Sequence, residues 1–417
     1  MWKQLDEITW IKARLSGTGE VTDDVLKIIE QVREGGDRAL IELTKKFDRA
    51  EIDSVVVTRD EIDEAYDEIS EELLEALETA AANIHRFHEM QLEPDLKLTE
   101  VDRGVFLGIK TTPLQRIGAY VPGGRASYPS TALMNVIPAA VAGVPEIVCC
   151  TPSPVDPATL VAMDIAGADE IYRVGGVQAI AAMALGTESI EPVQKIVGPG
   201  NVYVTAAKEM LRSVAEIDFP AGPSEIGVVA DSTAEPAFIA ADILAQAEHD
   251  PRAACILATD DETLPARVWK EIEKQMSKAP RLEIIREALK NSGYVIKGTI
   301  GECIDFMNII APEHLSLQVA DAMGRLNEVM NAGSIFVGPY SPVAAGDYAS
   351  GTNHTLPTAG RAEVFSGLNV SHFTKTSTVQ MISKDGLEDM ADIIETIAEA
   401  EGFMAHRDSV RIRLLKE

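Results

Sequence analysis

Cysteine is scarce in this chain. Four cysteines in 417 residues cannot build a disulfide framework. Cys149 and Cys150 are adjacent, and Cys255 and Cys303 stand alone, so no zinc-ribbon spacing exists. Basic residues are few: 37 Lys and Arg against 66 Asp and Glu leave a net charge of −29. A surface that negative repels nucleic acid and anionic lipid, and no Lys/Arg cluster offers a local exception. No apolar run approaches the length of a membrane span. The opening Met1–Glu7 lacks the apolar core of a signal peptide. A soluble protein of the reducing cytoplasm is expected, with no nucleic-acid or membrane partner. Short repeats and low-complexity tracts are missing as well.

Hydrophobic residues, in contrast, make up 46% of the chain, enough for a large core and more than one domain. Val21–Phe47 has helical periodicity that Gly35-Gly36 breaks in two, and Thr58–Gln91 is a second helical region with Thr58 or Asp60 as N-cap. His85 and His88 stand at i,i+3 there and read as structural. Short β-like segments at Val105–Ile109 and Arg116–Val121 follow. Helical and apolar stretches then alternate regularly from Ser130 to Val229, and a second set runs from Pro236 to Val337. Such alternation implies βαβ units and mostly parallel sheets. The seam falls near Ala221–Ser224, where Pro220 and Pro223 interrupt the pattern. Glu388–Ala400 reads as a last helix and Phe403–Leu415 as a basic-leaning tail.

Several stretches carry candidate chemistry. Ala311-Pro312-Glu313-His314-Leu315 sets a carboxylate beside an imidazole just after a proline, which should stop the preceding helix near Ala311. Neighbours on an extended segment face opposite ways, so shared service at one site requires irregular backbone. Gln246 and His249 share a helix face in a last turn and suit zinc or another divalent transition ion. Gly346–Thr358 reads as a long polar loop offering Asp347 and His354. Gly198-Pro199-Gly200-Asn201 lies between strand and helix, where backbone amides hold phosphates, but lacks the dinucleotide fingerprint. Val121-Pro122-Gly123-Gly124-Arg125 and Val174-Gly175-Gly176-Val177-Gln178 are further glycine turns after strands. Three such turns on one domain make a candidate cofactor crevice. Cys149-Cys150 is better read as buried free cysteine than as a nucleophile.

Taken together these stretches resemble histidinol dehydrogenase over nearly the whole chain, from about Val21 to Arg413. The resemblance rests on Arg116–Gly124, Val197–Tyr203, Phe219–Glu225, Gln246–His249, Ala311–Leu315 and the Asp347–Pro357 loop, in the family's order. It implies a zinc-dependent, NAD-linked four-electron dehydrogenase that oxidises L-histidinol to L-histidine through histidinaldehyde, with two NAD reduced. By motif, Gln246, His249, Asp347 and His406 match the ligands of one zinc per site. His314 matches the base for the alcohol proton, and Glu313 the base that activates water. Tyr120, Gln178 and Asn201 match NAD contacts. Ser224, His354 and Glu401 match positions near the substrate.

The implied fold has two incomplete Rossmann-like domains and terminal helical arms exchanged in a homodimer with shared active sites. The expected division is an arm over 1–17, one α/β domain over 18–116 and 225–368, an NAD domain over 117–224, and an arm over 369–417. Alternative readings are a sister dehydrogenase of another small alcohol and, further off, a zinc hydrolase, which the glycine turns disfavour.

Overall fold

The computed structural model describes residues 2–6, 21–123, 127–220 and 222–415. Most of the expected N-terminal arm lies outside the described residues, as do Gly124 and Arg125 of one glycine turn and Ala221 at the seam. By compactness the chain divides into a unit of Met1–Gln91 with Gln115–Phe373 and a unit of Leu92–Leu114 with Thr374–Glu417.

The larger unit holds two parallel sheets. One has six strands in the order Lys3–Gln4, Gly293–Ile296, Ala254–Thr259, Glu225–Ala230, His314–Gln318, Ser334–Val337. Every pairing in it is parallel. Three of its four inner strands, Ala254–Thr259, Glu225–Ala230 and His314–Gln318, are buried along their whole length. That is why they read as continuous apolar runs rather than alternating ones. The second sheet has five parallel strands in the order Glu170–Tyr172, Glu146–Cys150, Arg116–Tyr120, Lys195–Val197, Glu216–Ile217.

The helix Thr22–Phe47 breaks at Gly36, whose φ of 52° and ψ of −139° are non-helical. Its stripe of Val25, Ile29 and Val32 shares a core with Val177, Ile180, Val204 and Leu211, so it covers the five-stranded sheet. Val57 N–H donates to Ile171 and Arg173 N–H donates to Val55, extending the same sheet edge. Lys3–Gln4, expected in an arm, instead forms an edge strand beside Gly293-Tyr294, anchored by buried Trp2 against Tyr294.

The helical region after Thr58 is two helices, Arg59–Glu68 and Glu71–Glu89. Thr58 and Glu61 form a reciprocal cap on the first, and Ser70 caps the second. Leu282–Ala288 is a helix that periodicity did not reveal. Before the edge strand Ser334–Val337, only Ala322–Arg325 and a 3-10 turn over Leu326–Glu328 are helical.

The smaller unit is an antiparallel sheet of Thr374–Ile382, Val105–Pro113 and Leu96–Asp102 with helices Lys384–Ala400 and Met404–Leu414. The expected helical C-terminal arm therefore begins with a strand, and its tail is a helix. Arg411 to Glu395 at 2.6 Å and Arg407 to Glu399 at 3.0 Å tie the two helices together. Among the described residues no helix is long and apolar enough to cross a membrane.

Candidate active site

The helix Ile300–Ile310 ends at Ala311, which has φ 49° and ψ 63° and donates its N–H to Met307. A left-handed alanine is uncommon, and with Pro312 it supplies the irregular backbone that two adjacent side chains need to converge. Glu313 and His314 are both buried and both line one cavity of about 1870 Å³. His314 opens a strand of the six-stranded sheet at its amino end, as does Glu225. Tyr120, Pro199, Gly200 and Asn201, beyond carboxyl ends of the five-stranded sheet, line the same cavity. The crevice thus joins the carboxyl edge of one sheet, the usual binding edge of such folds, to the amino edge of the other.

Main-chain atoms of Glu225 hold the acid–base pair. Its N–H donates to Glu313 Oε2 at 2.8 Å, and its carbonyl lies 3.2 Å from His314 Nδ1. A carbonyl only accepts, so Nδ1 carries the proton and a neutral ring keeps its lone pair on Nε2. Nε2 is buried, has no hydrogen-bond partner among the described residues, and lies 3.7 Å from Asp347 Oδ1. Burial raises the Glu313 carboxyl well above the ordinary range, and it lowers His314 to about 3, with His249 and His354 adding to the fall. The His314 ring is therefore uncharged, and the 3.7 Å between Glu313 Oε2 and His314 Nδ1 is not an ion pair. Ser224, half-buried just before the strand Glu225–Ala230, favours the charged form of the Glu313 carboxyl.

Gln246 ends and His249 follows the helix Pro236–Ala247, and both line the cavity. Asp347 lines it too, but from the short helix Val343–Tyr348 and not from a loop as expected. Burial lifts its carboxyl to about 7. Amide oxygen, imidazole and carboxylate are a donor set suited to zinc. Among the described residues no three His, Cys, Asp or Glu side chains are grouped to hold a metal by themselves. The donor chemistry fits a divalent transition ion, and closing the set calls for a further ligand. His406, in the first turn of Met404–Leu414, and Glu401, the C-cap of Lys384–Ala400, belong to the smaller unit and are exposed.

His354 is half-buried on the cavity wall. Its Nδ1 lies 3.0 Å from the Asp347 carbonyl and its Nε2 3.3 Å from Thr131 Oγ1. The carbonyl again places the proton on Nδ1, so Thr131 donates to Nε2. Burial lowers this ring to about 4. Tyr120 is buried, and its hydroxyl accepts from Gly176 N–H at 3.1 Å, linking two glycine turns. Asn201 uses Oδ1 to cap the helix Val202–Leu211, accepting from Tyr203 and Val204 N–H. Gln178 is buried near the start of Gly176–Leu185, outside the cavity lining.

Cys149 and Cys150 are fully buried, and burial pushes both thiols far up, which removes them as nucleophiles. His88 is buried with Nδ1 at 2.8 Å from Gln91 Oε1, a structural role, and His85 faces solvent. Glu225 and Thr131 were not singled out from the sequence. Glu225 closes the Phe219–Glu225 stretch, but the atoms that matter are main-chain ones.

The histidinol dehydrogenase family profile matches residues 12–414. Histidinol dehydrogenase of Methanosarcina mazei is 51% identical over 411 residues, covering 98% of this chain and 95% of that protein. That of Methanothermobacter thermautotrophicus is 50% identical, covering 97% and 95%. The crystal structure of histidinol dehydrogenase from Elizabethkingia anophelis superposes with a TM-score of 0.92 at 43% identity, covering 94% of this chain and 92% of that one. With sequence similarity along its whole length and the same fold, the chain belongs to the histidinol dehydrogenase family.

Proposed function

We propose that the protein oxidises L-histidinol to L-histidine through histidinaldehyde, reducing two NAD, as a step of histidine biosynthesis. The observation that carries this reading is the Glu313–His314 pair held on the Glu225 main chain, at a cavity that also bears Gln246, His249 and Asp347. Gln246, His249 and Asp347, with His406, would hold a zinc ion. Zinc is redox-inert and supplies orientation and polarisation of the substrate alcohol. NAD, the hydride acceptor of both oxidations, is assigned to the side of the cavity lined by Tyr120 and Asn201; Gln178, outside that lining, is kept as a third NAD contact on the family resemblance.

The chain's own groups divide the proton work. His314 Nε2, with its lone pair facing Asp347, accepts the hydroxyl proton of the first oxidation. The second oxidation needs a hydrated aldehyde, because hydride must leave a carbon already bearing two oxygens. Glu313 takes the water proton. Its raised pKa falls when the cationic substrate arrives, since an opposite charge favours the carboxylate. Ser224, His354 and Glu401 are assigned to the substrate's polar ends. Thr131 and the Asp347 carbonyl hold the His354 ring in one tautomer.

The smaller unit has too little chain to form a large core of its own. We assign His406 and Glu401 to the active site of a partner subunit in a homodimer. Incubation with histidinol and NAD tests the reading: two reduced nicotinamides should form per histidinol consumed. No reduction with histidinol, alongside turnover of another small alcohol, would make the protein a sister enzyme.

A further inference from the structure

Lys208 and Asp218 form an ion pair inside the five-stranded sheet's layer, with side chains only 4% and 1% exposed. Lys208 lies on the helix Val202–Leu211 among buried Ala206, Ala207 and Leu211. A buried pair is a poor source of stability, because well-packed apolar residues of similar volume usually do as well. Its contacts point to another purpose. Asp218 Oδ2 accepts the N–H of Gly198 at 2.8 Å, and Lys208 Nζ donates to the carbonyl of Gly198 at 2.9 Å. Asp218 Oδ1 accepts from Lys208 and, at 2.7 Å, from Phe219 N–H. Both polar groups of one glycine are therefore gripped by the two ends of one ion pair.

That glycine can be nothing else. Its φ is +112°, and a Cβ would stand 2.1 Å from the Tyr120 carbonyl oxygen. Gly198 opens the turn whose next residues, Pro199, Gly200 and Asn201, line the cavity. At the far end of the turn Asn201 is itself bound to the helix start through Oδ1. The turn is clamped at both ends, and the Asn201 amide nitrogen is left over for a ligand.

We propose that Lys208 and Asp218 are positioning residues for the nucleotide. They hold the Gly198–Asn201 turn in its binding conformation before NAD arrives, so that binding does not bear the cost of ordering it. This inference rests on the assignment of that turn to NAD. Neither side chain touches the ligand; both act through Gly198.

The test replaces both charges together, since either single change strands a buried charge and threatens folding. K208M/D218L removes the grip and roughly preserves volume. In the zinc-loaded enzyme the apparent KM for NAD should rise at least about tenfold, while the KM for histidinol and the rate at saturating NAD stay near those of the unaltered protein. A merely structural pair would move both KM values or neither. A folded double variant with an unchanged NAD requirement overturns the proposal, as does an equal rise in both KM values.

Hydrogen exchange on the unaltered protein decides the matter if the variant does not fold. The Gly198 amide, bonded to Asp218 Oδ2, should be protected before NAD is added. Rapid exchange that NAD then slows would show that the turn is not pre-formed and would overturn the proposal. An unaltered, zinc-loaded protein that reduces no NAD with histidinol refutes the nucleotide reading itself, a result separate from either of these.

Discussion

Replacing Glu313 by glutamine should stall the enzyme between its two oxidations. The amide oxygen can take the place of Oε2 and keep the 2.8 Å bond from Glu225 N–H. Burial raises the native carboxyl well above the ordinary range, so an uncharged amide suits the same pocket. The stability change should stay within roughly 1 kcal/mol. His314 keeps its own bond to the Glu225 carbonyl, so the base of the first oxidation is untouched. What disappears is the base for water. Loss of a general base costs roughly two to four powers of ten, or about 3 to 5 kcal/mol of barrier. Rapid-mixing absorbance with histidinol should show about one reduced nicotinamide per site at near-normal rate, then a slow second phase. Supplied histidinaldehyde should be oxidised slowly from the start. Equal losses with histidinol and with histidinaldehyde would refute the division of labour between Glu313 and His314.

Chelation should abolish activity and zinc should restore it, whereas full activity in demonstrably metal-free protein would remove Gln246, His249 and Asp347 from the ligand role. Subunit exchange between His406→Ala and Glu313→Gln, each deficient in complete turnover to histidine, should return that turnover, because in a mixed dimer one site collects both defects and the other neither. With equal amounts, roughly a quarter of all sites should be intact, and no recovery in confirmed mixed dimers would show that His406 serves its own chain. Asn201→Ala should weaken NAD binding and cost about 1 kcal/mol through the lost cap, while Asn201→Asp keeps the cap acceptor and should affect NAD alone. Equal melting temperatures for all three proteins would contradict the capping role. Glu61, held to about 2 chiefly by its hydrogen bond from Arg173, stabilises the fold through its ionised form. That contribution is present above the ordinary carboxylate pKa and fades as pH falls toward about 2. Glu61→Gln keeps the helix cap, so its melting deficit should be largest near neutrality and close in acid; a gap constant with pH would show that charge is not its source.

The sequence by itself determined the alternation of strands and helices, because buried parallel strands read as continuous apolar runs and their helices carry long apolar faces. It also determined where one decisive helix stops, since Pro312 forbids its continuation, and which residue types are available for acid–base and metal chemistry. Other elements were silent. The Leu96–Asp102 strand is exposed along its whole length and Thr374–Ile382 nearly so, which leaves no apolar period to read. Met404–Leu414 buries only Val410, so its helix looked like a tail. The six residues that carry Asp347 are too few to show a helical period.

Tertiary structure alone decided that Thr22–Phe47 covers the smaller sheet, because an apolar stripe fits any apolar partner until packing selects one. It alone joined Lys208 to Asp218 across the Gly198 turn. It alone placed Glu225 behind Glu313 and His314. Every residue but proline carries an N–H and a carbonyl, so a grip made by main-chain atoms leaves no mark on the side-chain sequence and exists only once two strands lie in register.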